Sequence, residues 1–182
     1  VETPGGKLRR KRSEGPTPIM PKIAITSINN WTVKNGYEES KFYDIDMLYP
    51  DDEHIRSFFQ NNPANIIGLS AVVSTSYLQV QRISKIISEV NPQALIVCGG
   101  YLTAASNVVL RRTEVDICVV GDGEIAWVGL LNYLKAQKEN SHKFVFENLR
   151  KIKGLAFIND EDELEFTGYG HTLSSCHMTF PS

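Results

Sequence analysis

A chain of 182 residues that is 42% hydrophobic and 22% charged can bury the core of one domain, which sets aside a disordered or fibrous protein. Its formal net charge of −2 gives no global field that would recruit nucleic acid. No apolar run is long enough to span a bilayer and the N-terminus lacks the apolar core of a signal peptide, so the expected location is cytoplasmic, with no membrane partner.

Residues 1–20 hold the main basic cluster, "KLRRKR" at 7–12, among Gly, Pro and Ser without apolar periodicity, and are expected to be a solvated, disordered leader. The globular domain is expected over 21–140. "KIAITSI" at 22–28 predicts a buried strand, and "YDIDMLYP" at 43–50 a second one stopped by Pro50. "DDEHIRSFFQNN" at 51–62 predicts a short helix, with acids at its favourable N-terminus and Ile55, Phe58 and Phe59 on one face. "NIIGLSAVV" at 65–73 is a third strand. The helix that follows, over 74–92, has Ser/Thr caps, Ile83, Ile86, Ile87 and Val90 at helical spacing, and Pro92 as its stop. "ALIVCGG" at 94–100 is a fourth strand, "TAASNVVLRRT" at 103–113 a helix, "DICVVG" at 116–121 a fifth strand, and "GEIAWVGLLNYLKAQKE" at 123–139 the last helix.

Strands that are apolar almost throughout, separated by segments of helix length, predict a parallel sheet covered on both faces. The expected fold is α/β, a doubly wound, flavodoxin-like (Rossmann-like) sheet of five parallel strands. Residues 141–182 break the alternation. "GLAFINDEDELEFTGYG" at 154–170 is two alternating segments around an acidic turn, a hairpin by pattern, and "HTLSSCHMTFPS" at 171–182 reads as a connector.

In doubly wound sheets ligands bind at the carboxyl ends of the strands, where strand order reverses. That rule selects the loops at 29–31, 70–77, 99–103 and 121–124. Gly99-Gly100 after a buried strand lets a ligand approach the backbone, or simply makes a tight turn. Ser70 and the "STS" at 74–76 offer short donors and acceptors, and Ser74 or Thr75 equally suits a helix cap. In Gly121-Asp122-Gly123-Glu124 two acids would repel a phosphate, which argues against an anion cradle and leaves capping or ligand contact. The three cysteines are an odd, scattered set, a poor disulfide framework, and Cys98 and Cys118 read as small core residues. The four histidines form no pair with ligand spacing, so no metal site is expected.

"SAVV" from Ser70, "CGGYLTA" from Cys98 and "GDGE" from Gly121, each ending a strand and preceding a helix, together resemble the N-terminal cobalamin-binding domain of cobalamin-dependent radical SAM enzymes. The resemblance covers roughly residues 66–134. It implies that Ser70 and Ser74, Thr75, Ser76 and Tyr77 contact the corrin rim or the nucleotide tail. It further implies that Gly99 and Gly100 let the tail pass, with Tyr101 and Thr103 alongside, and that Gly121, Asp122, Gly123 and Glu124 border it. Asn29, Asn30 and Trp31 would face the lower side of the corrin.

Two departures shape the expectation. Asp52-Glu53-His54-Ile55-Arg56-Ser57 approaches the D-x-H-x-x-G that ligates cobalt in some cobalamin proteins, but it lies after the second predicted strand, so base-off cobalamin without a histidine ligand is expected. No C-x-x-x-C-x-x-C occurs, so the [4Fe–4S] cluster and S-adenosylmethionine would belong to a radical SAM barrel outside this sequence. The chain is therefore expected to be a fragment, not catalytic alone, of an enzyme of methyltransferase or cyclase type. The alternatives are a flavin- or nucleotide-binding flavodoxin-like module, and a receiver domain, for which residues 26–30 and 121–124 lack the acidic cluster and lysine.

Overall fold

The computed structural model describes residues 22–72, 76–136 and 146–170. The expected leader at 1–20, the connector at 171–182, and Ser74 and Thr75 lie outside the described residues. Helix α1 spans Ile23–Lys34, α2 Ile45–Leu48 and α3 Asp52–Asn61; strand β1 (Ile66–Ser70) leads to α4 (Tyr77–Val90) and β2 (Leu95–Gly99). A 3₁₀ turn at Tyr101–Ala105 runs into α5 (Ser106–Arg112), followed by β3 (Ile117–Val119), α6 (Gly123–Ala136), α7 (Phe146–Leu149), β4 (Leu155–Ile158) and β5 (Leu164–Phe166).

Among the described residues five strands form one sheet in sequence order, β1-β2-β3-β4-β5. The first three pair in parallel, with Ser70 opposite Gly99 and Cys98 opposite Cys118, whereas β3–β4 and β4–β5 are antiparallel. The expectation of five parallel strands with a separate hairpin is thus corrected: the alternating segment supplies two of the five strands. Nor does the strand order reverse among the described residues, so the rule of the reversal point has no counterpart there.

Both N-terminal strand predictions are overturned. "KIAITSI" is the first half of α1, in which Ile25 and Ile28 are half-buried and Thr32 is buried, a spacing of three and four that makes one helical face, while Ile23 is 62% exposed. Its hydroxyls are absorbed by the helix: Thr26 Oγ1 donates to the Lys22 carbonyl at 2.9 Å and Thr32 Oγ1 to the Ile28 carbonyl at 2.7 Å. "YDIDMLYP" contains the single turn α2, capped by Asp44, whose side chain accepts from the Met47 N–H at 3.0 Å, and ended by Tyr49 in the left-handed region at φ 46°. Tertiary docking outweighs the β propensity of isoleucine and threonine here.

Helices cover both faces of the sheet. Ile67, Cys98 and Cys118 point into a core shared with Ile55 and Phe59 of α3 and Ile83, Ile86 and Ile87 of α4. Val97, Ile117, Leu155 and Phe157 point the other way, against Ala126 and Leu130 of α6 and Leu149 of α7. Fully burying one such aliphatic side chain stabilises by about 1.5–3 kcal/mol, which is why these two layers hold the sheet in place. Ion pairs clasp α3 to α4: Arg82 Nε reaches Asp52 Oδ1 at 2.6 Å, and Arg56 pairs with Glu89. At the amino ends of β2 and β3, Asp116 Oδ2 accepts from the Ile96 N–H at 2.7 Å. No described helix is long and apolar enough to cross a membrane.

Candidate functional site

Because β1, β2 and β3 are parallel, their carboxyl ends bring three turns to one end of the sheet: 70–72, 99–103 and 121–124. An open groove joins these turns and continues along the edge of β1, which pairs only with β2 among the described residues. Its far wall is α1, which packs on α6. At about 3970 Å³ it is wider than a drug-sized cleft of roughly 300–1,000 Å³, so it fits a large ligand only along part of its length.

The two glycines after β2 play different parts. Gly100 has φ +94°, and a Cβ there would stand 2.5 Å from the Ala71 carbonyl oxygen, so the turn itself requires it. Around it the Ala71 N–H donates to the Gly99 carbonyl at 2.8 Å and the Leu102 N–H to the Ala71 carbonyl at 3.1 Å, locking the ends of β1 and β2 together. A Cβ on Gly99, by contrast, would meet nothing within 4 Å. Gly99 therefore presents bare strand backbone to the groove, beside Ser70, which is exposed and opposite it in the register. Thr103 is buried and its hydroxyl donates to the Gly100 carbonyl at 2.7 Å, a turn-closing bond, whereas Tyr101 is 83% exposed.

In the turn before α6, Gly121 has φ +94° with open space around it, and Asp122 is exposed to the groove. Gly123 is pressed by α1, since a Cβ there would lie 3.0 Å from Ile28 Cδ1. Glu124 Oε1 accepts from Ser27 Oγ at 2.7 Å. Half of the acid-glycine turn thus serves helix docking, and its first half stays open.

Of the predicted site residues within the described chain, Asn29, Ser70, Ser76, Gly99, Gly100, Tyr101, Thr103, Gly121, Asp122, Gly123 and Glu124 line the groove. Asn30, Trp31 and Tyr77 do not. Asn29 to Trp31 were expected in a loop and instead sit within α1, where Lys34 Nζ stands 5.4 Å from the Trp31 ring centroid. His54 lies away from the groove, 77% exposed, with Nδ1 2.7 Å from Asp51 Oδ1. The backbone N–H of His54 holds the Asp51 carboxyl below its usual range.

Sequence reasoning missed Gly68 and Trp127. A Cβ on Gly68 would lie 3.1 Å from the Trp127 ring, and Trp127 lines the groove with Gly123 and Leu131. The signal existed: Gly123, Trp127 and Leu131 recur every four residues along one face of α6, and a lone glycine in an apolar strand marks a close approach.

No curated protein sequence matches the chain. Among solved structures, OxsB, a cobalamin-dependent S-adenosylmethionine radical enzyme solved with aqua-cobalamin and S-adenosylmethionine, is similar at a TM-score of 0.67 and 14% identity, over 84% of this chain and 20% of that one. The radical S-adenosylmethionine methyltransferase TsrM from Kitasatospora setae, solved with tryptophan and a SAM analogue, is similar at 0.65 and 14% identity, over 80% of this chain and 27% of that one. At such identity the likeness shows the fold, and this chain spans about a fifth to a quarter of the length of those enzymes. The profile of the family described as B12 binding domain matches residues 17–131, well over half of the sequence. The chain belongs to the B12-binding domain family.

Proposed function

We propose that this chain binds cobalamin in the strand-end groove and is the cofactor-carrying part of a cobalamin-dependent radical SAM enzyme. The observation that carries this reading is Ser70 facing Gly99 across adjacent strands, with empty space where a side chain on Gly99 would stand. A polar hydroxyl beside bare backbone suits a bulky ligand whose phosphodiester and ribose need hydrogen bonds at close range. Ser70, Gly99 and Tyr101 would line one side of the cofactor, and Gly121 and Asp122 the other. Gly100, Thr103, Gly123 and Glu124 hold the turns that position them.

When bound, cobalamin supplies a cobalt centre able to carry an alkyl group; the protein supplies orientation and exclusion of water. Base-off binding is part of this reading: His54, the one histidine among the described residues, lies outside the groove, so it is not offered as a ligand. The cluster and S-adenosylmethionine would be held by a separate part of the intact enzyme. A titration of the purified chain with hydroxocobalamin, followed by its visible spectrum, tests the reading. Saturable binding with a base-off spectrum is expected. No binding at high micromolar cofactor, with tight flavin uptake instead, would overturn it.

A further inference from the structure

At the end of the sheet opposite the strand-end turns lies a second recess, a cleft of about 200 Å³. It opens between α5 and α7, where β3 begins and the antiparallel β4 ends. Leu110 of α5, Phe146 and Leu149 of α7, and Phe157 and Ile158 of β4 make its wall apolar. Asp116 is the one charged residue in that wall.

The Asp116 side chain is fixed by β2. Its backbone N–H donates to the Ile96 carbonyl at 2.9 Å, and its Oδ2 accepts from the Ile96 N–H at 2.7 Å. Oδ1 takes no hydrogen bond from a described residue. No described cation pairs with this carboxylate either: Arg111 in α5 is committed to Asp162 at 2.8 Å, and Arg150 just after α7 to Glu165 at 2.7 Å. The charge that does act on Asp116 is that of Glu114, which has the same sign. Burial raises the carboxyl to about 6, so at neutral pH it is ionised and stands in an apolar wall without a counter-charge.

Such a carboxylate calls for a cation, and the cleft sets its kind. A metal ion needs several ligands, and no group of three or more metal-ligating side chains occurs among the described residues. The apolar wall suits the body of an organic molecule instead, and the rings of Phe146 and Phe157, with centroids 5.4 Å apart, suit an ammonium bordering an aromatic surface. An apolar cavity of about 150 Å³ holds benzene. At about 200 Å³ the cleft adds room for a short arm, and it stays below the roughly 300–1,000 Å³ of a drug-sized site.

We propose that this cleft binds a small organic ammonium compound, a primary amine on a compact apolar body, whose nitrogen pairs with Asp116 Oδ1 while the body packs against Leu149 and Phe157. The site lies at the far end of the sheet from the groove and stands or falls independently of the cobalamin reading.

The test is a titration of the 182-residue chain with benzylamine, an ammonium at neutral pH, and with benzyl alcohol, a neutral molecule of similar shape. The backbone amide resonances of Ile96, Asp116 and Leu149 report binding. Expected are saturable shifts with benzylamine and binding of benzyl alcohol weaker by about tenfold or more, the difference that a hydrogen bond to a charged group makes. Asp116→Asn, which can still accept from Ile96, should lower benzylamine affinity about tenfold and leave that of benzyl alcohol within about twofold. Equal affinity for amine and alcohol, no benzylamine shift at these amides, or undiminished benzylamine binding by the variant would overturn the assignment. The comparison of amine with alcohol uses the unaltered chain and so decides the matter whether or not the variant folds.

Discussion

Ser27 Oγ donates a 2.7 Å hydrogen bond to Glu124 Oε1, joining the first half of α1 to the first turn of α6. The bond lies in a part-buried contact where Ile28 also presses on Gly123. The glutamate of the acid-glycine turn thereby serves the fold, because one of its oxygens is engaged by the helix that walls the groove.

Ser27→Ala should therefore lower stability by about 1.5–3 kcal/mol, the range for a hydrogen bond to a charged group. Cobalamin affinity should change less than threefold. Urea unfolding followed by circular dichroism measures the first, and spectral titration the second. Unchanged stability with a large loss of affinity would move Glu124 from docking to ligand contact.

Alanine at the two neighbouring glycines should separate fold from ligand. Gly100→Ala meets both a φ of +94° and a backbone oxygen 2.5 Å from the new Cβ, and should cost upwards of about 2 kcal/mol in unfolding free energy. Gly99→Ala has open space around its Cβ and should leave stability within about 0.5 kcal/mol. Its methyl group intrudes on the groove, and cobalamin affinity should fall about tenfold.

Burial raises the Asp116 carboxyl to about 6, partly countered by the Ile96 N–H that it accepts and reinforced by Glu114. The folded protein therefore holds this proton more tightly than the unfolded chain. Stability from this group is present at and below the ordinary carboxylate pKa, near 4, and is lost as pH rises through about 6. Asp116→Asn, which can still accept from Ile96, should be more stable than the parent at pH 7.5. A gain of about 1–2 kcal/mol is expected once the part-exposure of the carboxyl is allowed for. Urea midpoints measured from pH 4 to pH 8 should show the parent falling relative to the variant.

Cys98 and Cys118 lie opposite one another in β2 and β3, fully buried, and burial pushes both thiols up to about 12. Neither should form thiolate at neutral pH. In a Cys176→Ser variant, Ellman's reagent should release almost no colour from the native chain and two equivalents after denaturation in guanidinium. Rapid labelling of the native protein would show that the β2–β3 core opens.

What the sequence determined by itself is everything local and regularly spaced. The isoleucines of α4 recur at helical intervals, and the apolar runs of β1, β2 and β3 end in Ser70, Gly99 and Val119, so the turns that follow could be placed without coordinates. Tertiary structure alone decided α1. "KIAITSI" has the β-branched residues of a strand, and only docking of Ile28 against Gly123 and of Ser27 against Glu124 shows why it winds as a helix. The same holds for the division of labour in each glycine pair and for Trp127 seated on Gly68. Those depend on approaches between residues tens of positions apart, and chain geometry encodes such distances only once the parallel strands have brought them to one end of the sheet.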